Sequence, residues 1–128
     1  MNARQTRVKL YSYPRCSTCR KAIAWLQSRG HGLAGNPPQV ELIDISVQPP
    51  SPGELQRALA QLGRKRLLNT SGQSYRALGA ATVQAMDDAS LLETLAGDGK
   101  LIKRPFLILD DGRTVTGFQQ AEWEGLFS

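Results

Sequence analysis

The stretch over residues 8–30 constrains the fold of this chain more than any other part of the sequence. It predicts a buried strand over 8–13, a tight turn at Pro14 and a helix that opens on Cys16. Apolar or small residues then recur at the i, i+3, i+4, i+7 spacing of one helical face, which buries them against the strand. The members of that face are Cys19, Ala22, Ile23 and Leu26.

Cys16 and Cys19 lie one helical turn apart at the start of this helix, where we expect both to be exposed. Residues three apart on a helix have Cβ atoms roughly 5–6 Å apart, so a small adjustment of the first turn would allow a disulfide. Free backbone N–H groups and the positive end of the helix dipole stabilise a thiolate there. Arg15, Arg20 and Lys21 add positive charge nearby. Because the thiolate is the nucleophilic form of cysteine, this position favours a reactive dithiol.

A strand that leads into a helix-opening Cys-x-x-Cys, in a chain with no other cysteine, is typical of thioredoxin-like redox proteins. Two other interpretations stay open. Zinc could use Cys16, Cys19 and His31, but structural zinc needs four ligands and the chain offers no second Cys or His pair. The thiols could also be inert small residues of a helix cap. We favour redox chemistry without a metal, because flanking arginine and lysine argue against burial of the pair.

Composition sets the broad class of protein. A length of 128 residues predicts a single domain over 1–128, and 41% apolar with 21% charged residues is ordinary for a soluble globular chain. We expect no membrane span and no secretory signal, and the paired cysteines indicate a reducing cytoplasm. The net charge of +5 is scattered, with clusters at 64–66 and 100–104. We interpret these clusters first as solvated surface and second as a site for an anionic substrate or an acidic partner protein. Direct nucleic-acid binding is not expected.

The remaining pattern predicts an α/β fold. Residues 40–45 form a second strand parallel to the first, and Ser51 then caps a helix that ends at Gly63. Three or four short helices fill an insertion over about 51–98. The strand 106–109 returns through a hairpin to 114–116, which completes a mixed four-stranded sheet with flanking helices. Residues 30–38 form a Gly/Pro/Asn-rich surface loop in which we expect His31 to be solvated.

Four segments together carry a resemblance to a known family. They are YPRCSTCRKAIAWL, LLNTSGQSYRALG, GKLIKRPFLI and VTGFQQAEWE, in this order over nearly the whole chain. They resemble the arsenate reductase-related branch (ArsC/Spx/MgsR) of the thioredoxin fold. The version with NTSG-x-x-Y-R is similar to the subgroup called arsenate reductase family proteins. The resemblance implies a thioredoxin-like fold with an inserted helical subdomain, and a cis peptide at Arg104-Pro105 facing the cysteine loop.

The resemblance also implies roles for individual residues. In arsenate reductases of this family the cysteine matching Cys16 attacks arsenate, an arginine matching Arg104 holds the oxyanion, and glutathione or glutaredoxin completes the reduction. A planar guanidinium suits such an anion. We therefore predict Cys16 as nucleophile, Cys19 as resolving thiol and Arg104 as their partner. No cofactor is expected to be bound, and glutathione/glutaredoxin or thioredoxin would be the reductant. Further candidates for anion contacts are Arg15, Asn69, Ser71 and Pro105.

The chain departs from that family pattern in three places. Two arginines that arsenate reductases use for the oxyanion are replaced, one near Asn69 and Ser71 and the other at about Gly117. Cys19 occupies a position where glutathione-dependent arsenate reductases usually lack a cysteine, which favours an internal disulfide with Cys16. The Spx branch implies an alternative, a redox-switched regulator that binds the RNA polymerase α-subunit. A non-catalytic thioredoxin-fold adaptor is the third hypothesis, and a monomer is expected.

Overall fold

The computed structural model describes residues 8–33 and 39–127. The predicted surface loop over 30–38 therefore lies partly outside the described residues. Four strands, six α-helices and a short 3₁₀-helix at Gly99–Leu101 are present in the described part of the chain. In chain order they are β1 Val8–Ser12, α1 Ser17–Ser28, β2 Val40–Asp44, α2 Pro52–Leu67, α3 Gln73–Leu78, α4 Ala80–Ala85, α5 Asp88–Gly97, β3 Phe106–Ile108, β4 Thr114–Thr116 and α6 Gln120–Leu126.

The strands form one mixed sheet in the order β2-β1-β3-β4. β1 and β2 are parallel and are connected through α1, whereas β1–β3 and β3–β4 are antiparallel. The hairpin between β3 and β4 turns at Gly112, whose φ of 92° suits a residue without a Cβ. This confirms the predicted mixed four-stranded sheet with flanking helices. β1 lies at the centre of that sheet and leads directly into the cysteine pair.

The two faces of β1 contribute to two separate hydrophobic clusters. Val8 and Leu10 pack with the tryptophans of α1 and α6, Trp25 and Trp123, in one cluster. Tyr11 belongs to the other cluster, together with apolar residues of α2 and α5. This division follows from the alternation of side chains along a strand. The helices α1 and α6 therefore cover one face of the sheet, and those of the insertion cover the other.

A buried carboxylate joins the insertion to the central strand. Glu54, in the first turn of α2, is 8% exposed and accepts hydrogen bonds from the Tyr11 hydroxyl at 2.7 Å and the Lys9 ammonium at 3.0 Å. It also completes the predicted capping box by accepting from the backbone N–H of Ser51 at 2.9 Å. With three donors the buried charge is satisfied, and α2 is held in register with β1.

Gly63 ends the first part of α2 as predicted, but the helix resumes after it. Gly63 has φ 75° and ψ 170°, and one further helical turn carries the chain to Leu67. Arg64 in this turn donates to the Met86 carbonyl at 2.8 Å and pairs with Asp88 at 2.7 Å. One residue of the basic cluster at 64–66 thus joins α2 to the start of α5 and is not merely part of a solvated surface.

A close backbone contact fixes the end of the insertion. Gly99 is buried in the 3₁₀-helix, and a Cβ built on it would lie 2.0 Å from the Ile45 carbonyl oxygen just beyond β2. No side chain fits at that distance. The 3₁₀-helix can approach the sheet this closely only because residue 99 is glycine.

Several smaller expectations are corrected. His31 is half-buried and its ring lies 4.7 Å from that of Phe127, so it is packed rather than solvated. Gly72 is the N-cap residue of α3, so that helix has no side-chain cap. The strand β3 ends at Ile108, one residue earlier than predicted. Within the described residues, no helix is both long enough and apolar enough to cross a membrane.

Candidate functional site

Cys16 occupies the N-cap position of α1. Its backbone is extended, with φ −94° and ψ 115°, and its N–H donates to the Tyr13 carbonyl at 3.0 Å. The Cys16 Sγ accepts a hydrogen bond from the Cys19 N–H at 3.4 Å, in the way that a serine or aspartate oxygen caps other helices. The side chain is half-buried. A sulfur in this place receives a hydrogen bond that is stronger for a thiolate than for a thiol.

The expectation that both thiols are exposed is wrong for Cys19. This residue is 1% exposed and lies on the buried face of α1 with Ala22 and Leu26. The cause was visible in the sequence, since Cys19 begins the apolar i, i+3, i+4, i+7 face of that helix. Both cysteines are free thiols in the structure. The pair is therefore asymmetric, with one accessible sulfur and one sulfur enclosed behind it.

The environment changes the two thiol pKa values in opposite directions. Burial alone would raise the pKa of Cys16, but hydrogen bonds from the thiol and N–H of Cys19 and the Arg104 guanidinium hold that pKa below its usual value. Burial, followed by the hydrogen bond to Cys16 and the charge on the Cys16 sulfur, raises the pKa of Cys19 to about 12. Cys16 is thus the thiolate of the pair and Cys19 its proton-bearing neighbour.

Arg104 is held beside Cys16 by contacts with Tyr13, in the loop that follows β1, and with Lys100 of the 3₁₀-helix. Its guanidinium carbon lies 5.0 Å from the centre of the Tyr13 ring, and its Nη1 donates to the Lys100 carbonyl at 3.3 Å. The Arg104–Pro105 peptide is cis, as the resemblance implied. Arg104 Nε is buried and has no acceptor among the described residues. A cation with an unused donor next to a thiolate suits an anion at the reacting sulfur.

We expect the Arg104→Gln variant to titrate Cys16 at higher pH than the native protein. Removing the guanidinium removes one of the influences that lower the pKa of Cys16, so the thiolate forms later as the pH rises. The measurement is the rate of alkylation by iodoacetamide against pH, followed at Cys16 by mass spectrometry. Arg57→Gln, which removes an exposed arginine from α2, is the matched control and should keep the native midpoint. An unchanged midpoint for Arg104→Gln would contradict the role given to this arginine.

The other residues predicted to contact an anion differ in how they lie relative to Arg104 and Cys16. Asn69 is connected to Arg104, because its Nδ2 donates to the same Lys100 carbonyl at 3.4 Å, and the Ser71 hydroxyl donates to Asn69 Oδ1 at 3.3 Å. Pro105 is buried beneath the site. Arg15 is exposed, and it is not among the groups that lower the pKa of Cys16. Asn69 is thus placed to support Arg104, whereas Arg15 is not brought to the thiolate by any described contact.

Zinc binding by the cysteines and His31 does not fit this geometry. His31 follows the C-terminal end of α1, twelve residues of helix away from the N-cap cysteine, and packs on Trp25 and Phe127. At about 1.5 Å per residue, that helix separates His31 from Cys16 by roughly 18 Å. Among residues 8–33 and 39–127, no three His, Cys, Asp or Glu side chains form a group that could hold a metal ion.

Sequence reasoning missed a basic groove beside the cysteine helix. Its volume is about 480 Å³, and it lies between the first turn of α1, the end of α2, the segment before β3 and the start of α6. The polar and charged side chains that line it are Thr18, Arg66, Lys103, Arg104, Thr116, Gln119 and Glu122. The available signal was the pair of basic clusters in the sequence, which only the fold brings to one place.

The sheet order, the helix that starts at the cysteine pair and the cis-proline before β3 are those of a thioredoxin-like fold. The structure of a protein from Streptococcus mutans, described as a possible arsenate reductase, has a TM-score of 0.79 to this chain and is 36% identical to it; the match covers 96% of this chain and 99% of that one. The family assignment follows from sequence. The chain belongs to the ArsC family, whose model matches residues 11–126.

Two curated relatives each match most of this chain. The uncharacterized protein YusI of Bacillus subtilis is 41% identical over 118 residues, covering 89% of this chain and 92% of YusI. The global transcriptional regulator Spx of Streptococcus agalactiae is 31% identical over 117 residues, covering 90% of this chain and 79% of Spx. The family therefore includes both relatives named as regulators and structures named as arsenate reductases.

Proposed function

We propose that this ArsC-family chain is a thiol–disulfide redox protein in which Cys16 is the nucleophile and Cys19 the resolving thiol. The observation that carries the proposal is the asymmetry of the pair. Cys16 is accessible and its pKa is lowered, whereas Cys19 is buried and its pKa is raised to about 12. An attacking thiol must be accessible to the substrate and must ionise readily. A resolving thiol should stay protonated until the mixed disulfide has formed.

The reaction proceeds in two exchanges. The Cys16 thiolate attacks one sulfur of a substrate disulfide, the substrate S–S bond breaks, and the departing thiolate takes a proton from water. Cys19 then loses its proton and attacks Cys16 Sγ, which releases the second substrate thiol and leaves a Cys16–Cys19 disulfide. Two electrons pass from the dithiol to the substrate. A thiol reductant of the cytoplasm (glutathione with glutaredoxin, or thioredoxin) returns them.

The first exchange also prepares the second. The negative charge on the Cys16 sulfur is one of the influences that raise the pKa of Cys19. Once Cys16 is in a mixed disulfide that charge is gone, so the pKa of Cys19 falls and its thiolate becomes easier to form. The charge on Arg104 lowers the pKa of both thiols, so it favours the thiolate that attacks in each exchange. The resolving thiol is therefore activated only after substrate has been attached.

We expect mild oxidation to remove two hydrogens and both free thiols from the native protein, and reduction to restore them. The measurement is intact mass with a free-thiol count before and after each treatment. Cys19→Ser is the control: it should instead form mixed disulfides or dimers through Cys16. Thiols that persist in the oxidised native protein would exclude both the redox enzyme and a redox switch, and would leave the adaptor as the remaining hypothesis.

An Spx-type regulator is the second candidate, and the relatives named Spx favour it. In that case the Cys16–Cys19 disulfide would change binding to the RNA polymerase α-subunit rather than carry electrons to a substrate. Titration of the reduced and the oxidised protein with purified α-subunit separates the two. Binding in one redox state supports the regulator, and no binding in either state excludes it.

A further inference from the structure

The basic groove is built from three backbone segments that are tied together. The Thr116 hydroxyl donates to the Arg66 carbonyl at 2.5 Å, and the Lys103 N–H donates to the Leu67 carbonyl at 2.9 Å. These two bonds connect the end of α2 to the end of β4 and to the segment before β3. Gly117 also lines the groove without a side chain, and the Lys103 Cε lies 3.7 Å from where its Cβ would be.

The charges in the groove are unbalanced. Arg66, Lys103 and Arg104 all line it, and Glu122 is the acidic residue of the lining. The ion pairs of the described residues lie elsewhere, so none of these three cations has a carboxylate within 4.0 Å there. Cations that share a concave surface without counter-ions attract an anion, and guanidinium groups bind carboxylates with good geometry.

We propose that Arg66 and Lys103 bind a carboxylate next to the sulfur of the incoming disulfide, so that Cys16 selects acidic cysteine peptides. This proposal rests on the thiol–disulfide function proposed above. Arg104 lines the groove and also lies beside Cys16, and Thr18 lines it from the first helical turn after that cysteine. A volume of about 480 Å³ is within the range of pockets that enclose small ligands and suits a peptide of two or three residues.

The test uses three mixed disulfides that differ only in charge. Each joins the cysteine of an N-acetylated dipeptide to 2-thiopyridine: Gln-Cys amide, Glu-Cys amide and Gln-Cys with a free terminal carboxylate. When the Cys16 thiolate attacks the peptide sulfur, the S–S bond breaks and pyridine-2-thione is released with its proton, which is measured by absorbance. The Glu-Cys amide represents an acidic segment inside a protein, and the free carboxylate represents a small peptide thiol.

With the native protein, we expect at least one carboxylate probe to react about fivefold faster than the neutral probe. The free energy contributed by two exposed ion pairs corresponds to roughly that ratio of rates. The Arg66→Gln/Lys103→Gln double variant should react with all three probes at the neutral rate. The Arg57→Gln/Lys65→Gln double variant removes the same charge from α2 outside the groove and should keep the preference. Glu122→Gln should increase it, because this change removes the opposing charge.

Equal rates for all probes would overturn the proposal, as would an equal loss of preference in both double variants. The carboxylate probe that reacts faster identifies which of the two sources the groove recognises. If Cys16 reacts with no probe, the redox function fails, and binding of the two carboxylate peptides with S-methylated cysteines still tests the groove. Amide chemical shifts at Thr18, Lys103 and Gly117 would then move on titration if the carboxylate binds. Unmoved shifts would overturn the proposal independently.

Discussion

Iodoacetamide at neutral pH will add one carbamidomethyl group to the native protein, and that group will be on Cys16. A thiol with a pKa of about 12 is ionised in only about one molecule in 10⁵ at pH 7. Cys19 is also 1% exposed, so the reagent cannot reach it. Cys16 is half-buried and its pKa is lowered, which leaves it both reachable and nucleophilic. We expect the rates at the two sites to differ by at least about 10³-fold.

Peptide mapping after timed alkylation measures the two rates separately. Cys16→Ser should remain unmodified over the period in which the native protein reacts completely, and protein in denaturant should take up two groups. If Cys19 of the native protein were modified as fast as Cys16, the pair would not be asymmetric. The assignment of attacking and resolving thiols would then have no basis.

Gly99→Ala will destabilise the protein more than any other single methyl group added to the glycines of the described chain. The new Cβ would be 2.0 Å from the Ile45 carbonyl oxygen and 2.9 Å from its carbon, both of them backbone atoms that cannot rotate away. Relieving the overlap requires the 3₁₀-helix or the end of β2 to move. We expect a loss of about 3 kcal/mol in the free energy of unfolding, which corresponds to a Tm lower by roughly 10 °C.

The control for this variant lies two residues away. Gly97 ends α5, and a Cβ added to it would meet no atom within 4 Å beyond its own helix, so Gly97→Ala should keep or slightly raise the Tm. Thermal unfolding followed by circular dichroism compares the two variants directly. Equal melting temperatures would mean that the contact between Gly99 and Ile45 relaxes without cost.

The sheet was predictable because each of its strands carries a local signal. A mostly apolar run marked β1 as a buried strand, β-branched residues marked β2, and the Asp-Asp-Gly turn indicated the hairpin of β3 and β4. The capping box at Ser51 and Glu54 set the start of α2 in the same way. Two further contacts of Glu54, with Lys9 and Tyr11, were not predictable, because they join residues more than forty positions apart.

The candidate site was only partly predictable for the same reason. The spacing of Cys16 and Cys19 identified the pair, and the resemblance pointed to Arg104. The burial of Cys19 was missed because the charged neighbours were given more weight than its place on the apolar face. The groove depends on Arg66 and Lys103, which are distant in sequence. Contacts such as the hydrogen bond from the Lys103 N–H to the Leu67 carbonyl bring their segments together. No local sequence pattern predicts that Arg66 and Lys103 line the same groove.

The central place of β1 has a consequence for how the chain is made. β1 is synthesised before β3, yet Lys9 pairs with Ile108, about a hundred residues later. Until that partner is synthesised, β1 can pair only with β2, and one edge of an apolar strand remains open. Arg104, which lies beside Cys16, is also synthesised late. A nascent chain therefore contains both cysteines long before it contains the residues that make their exposure and their pKa values differ.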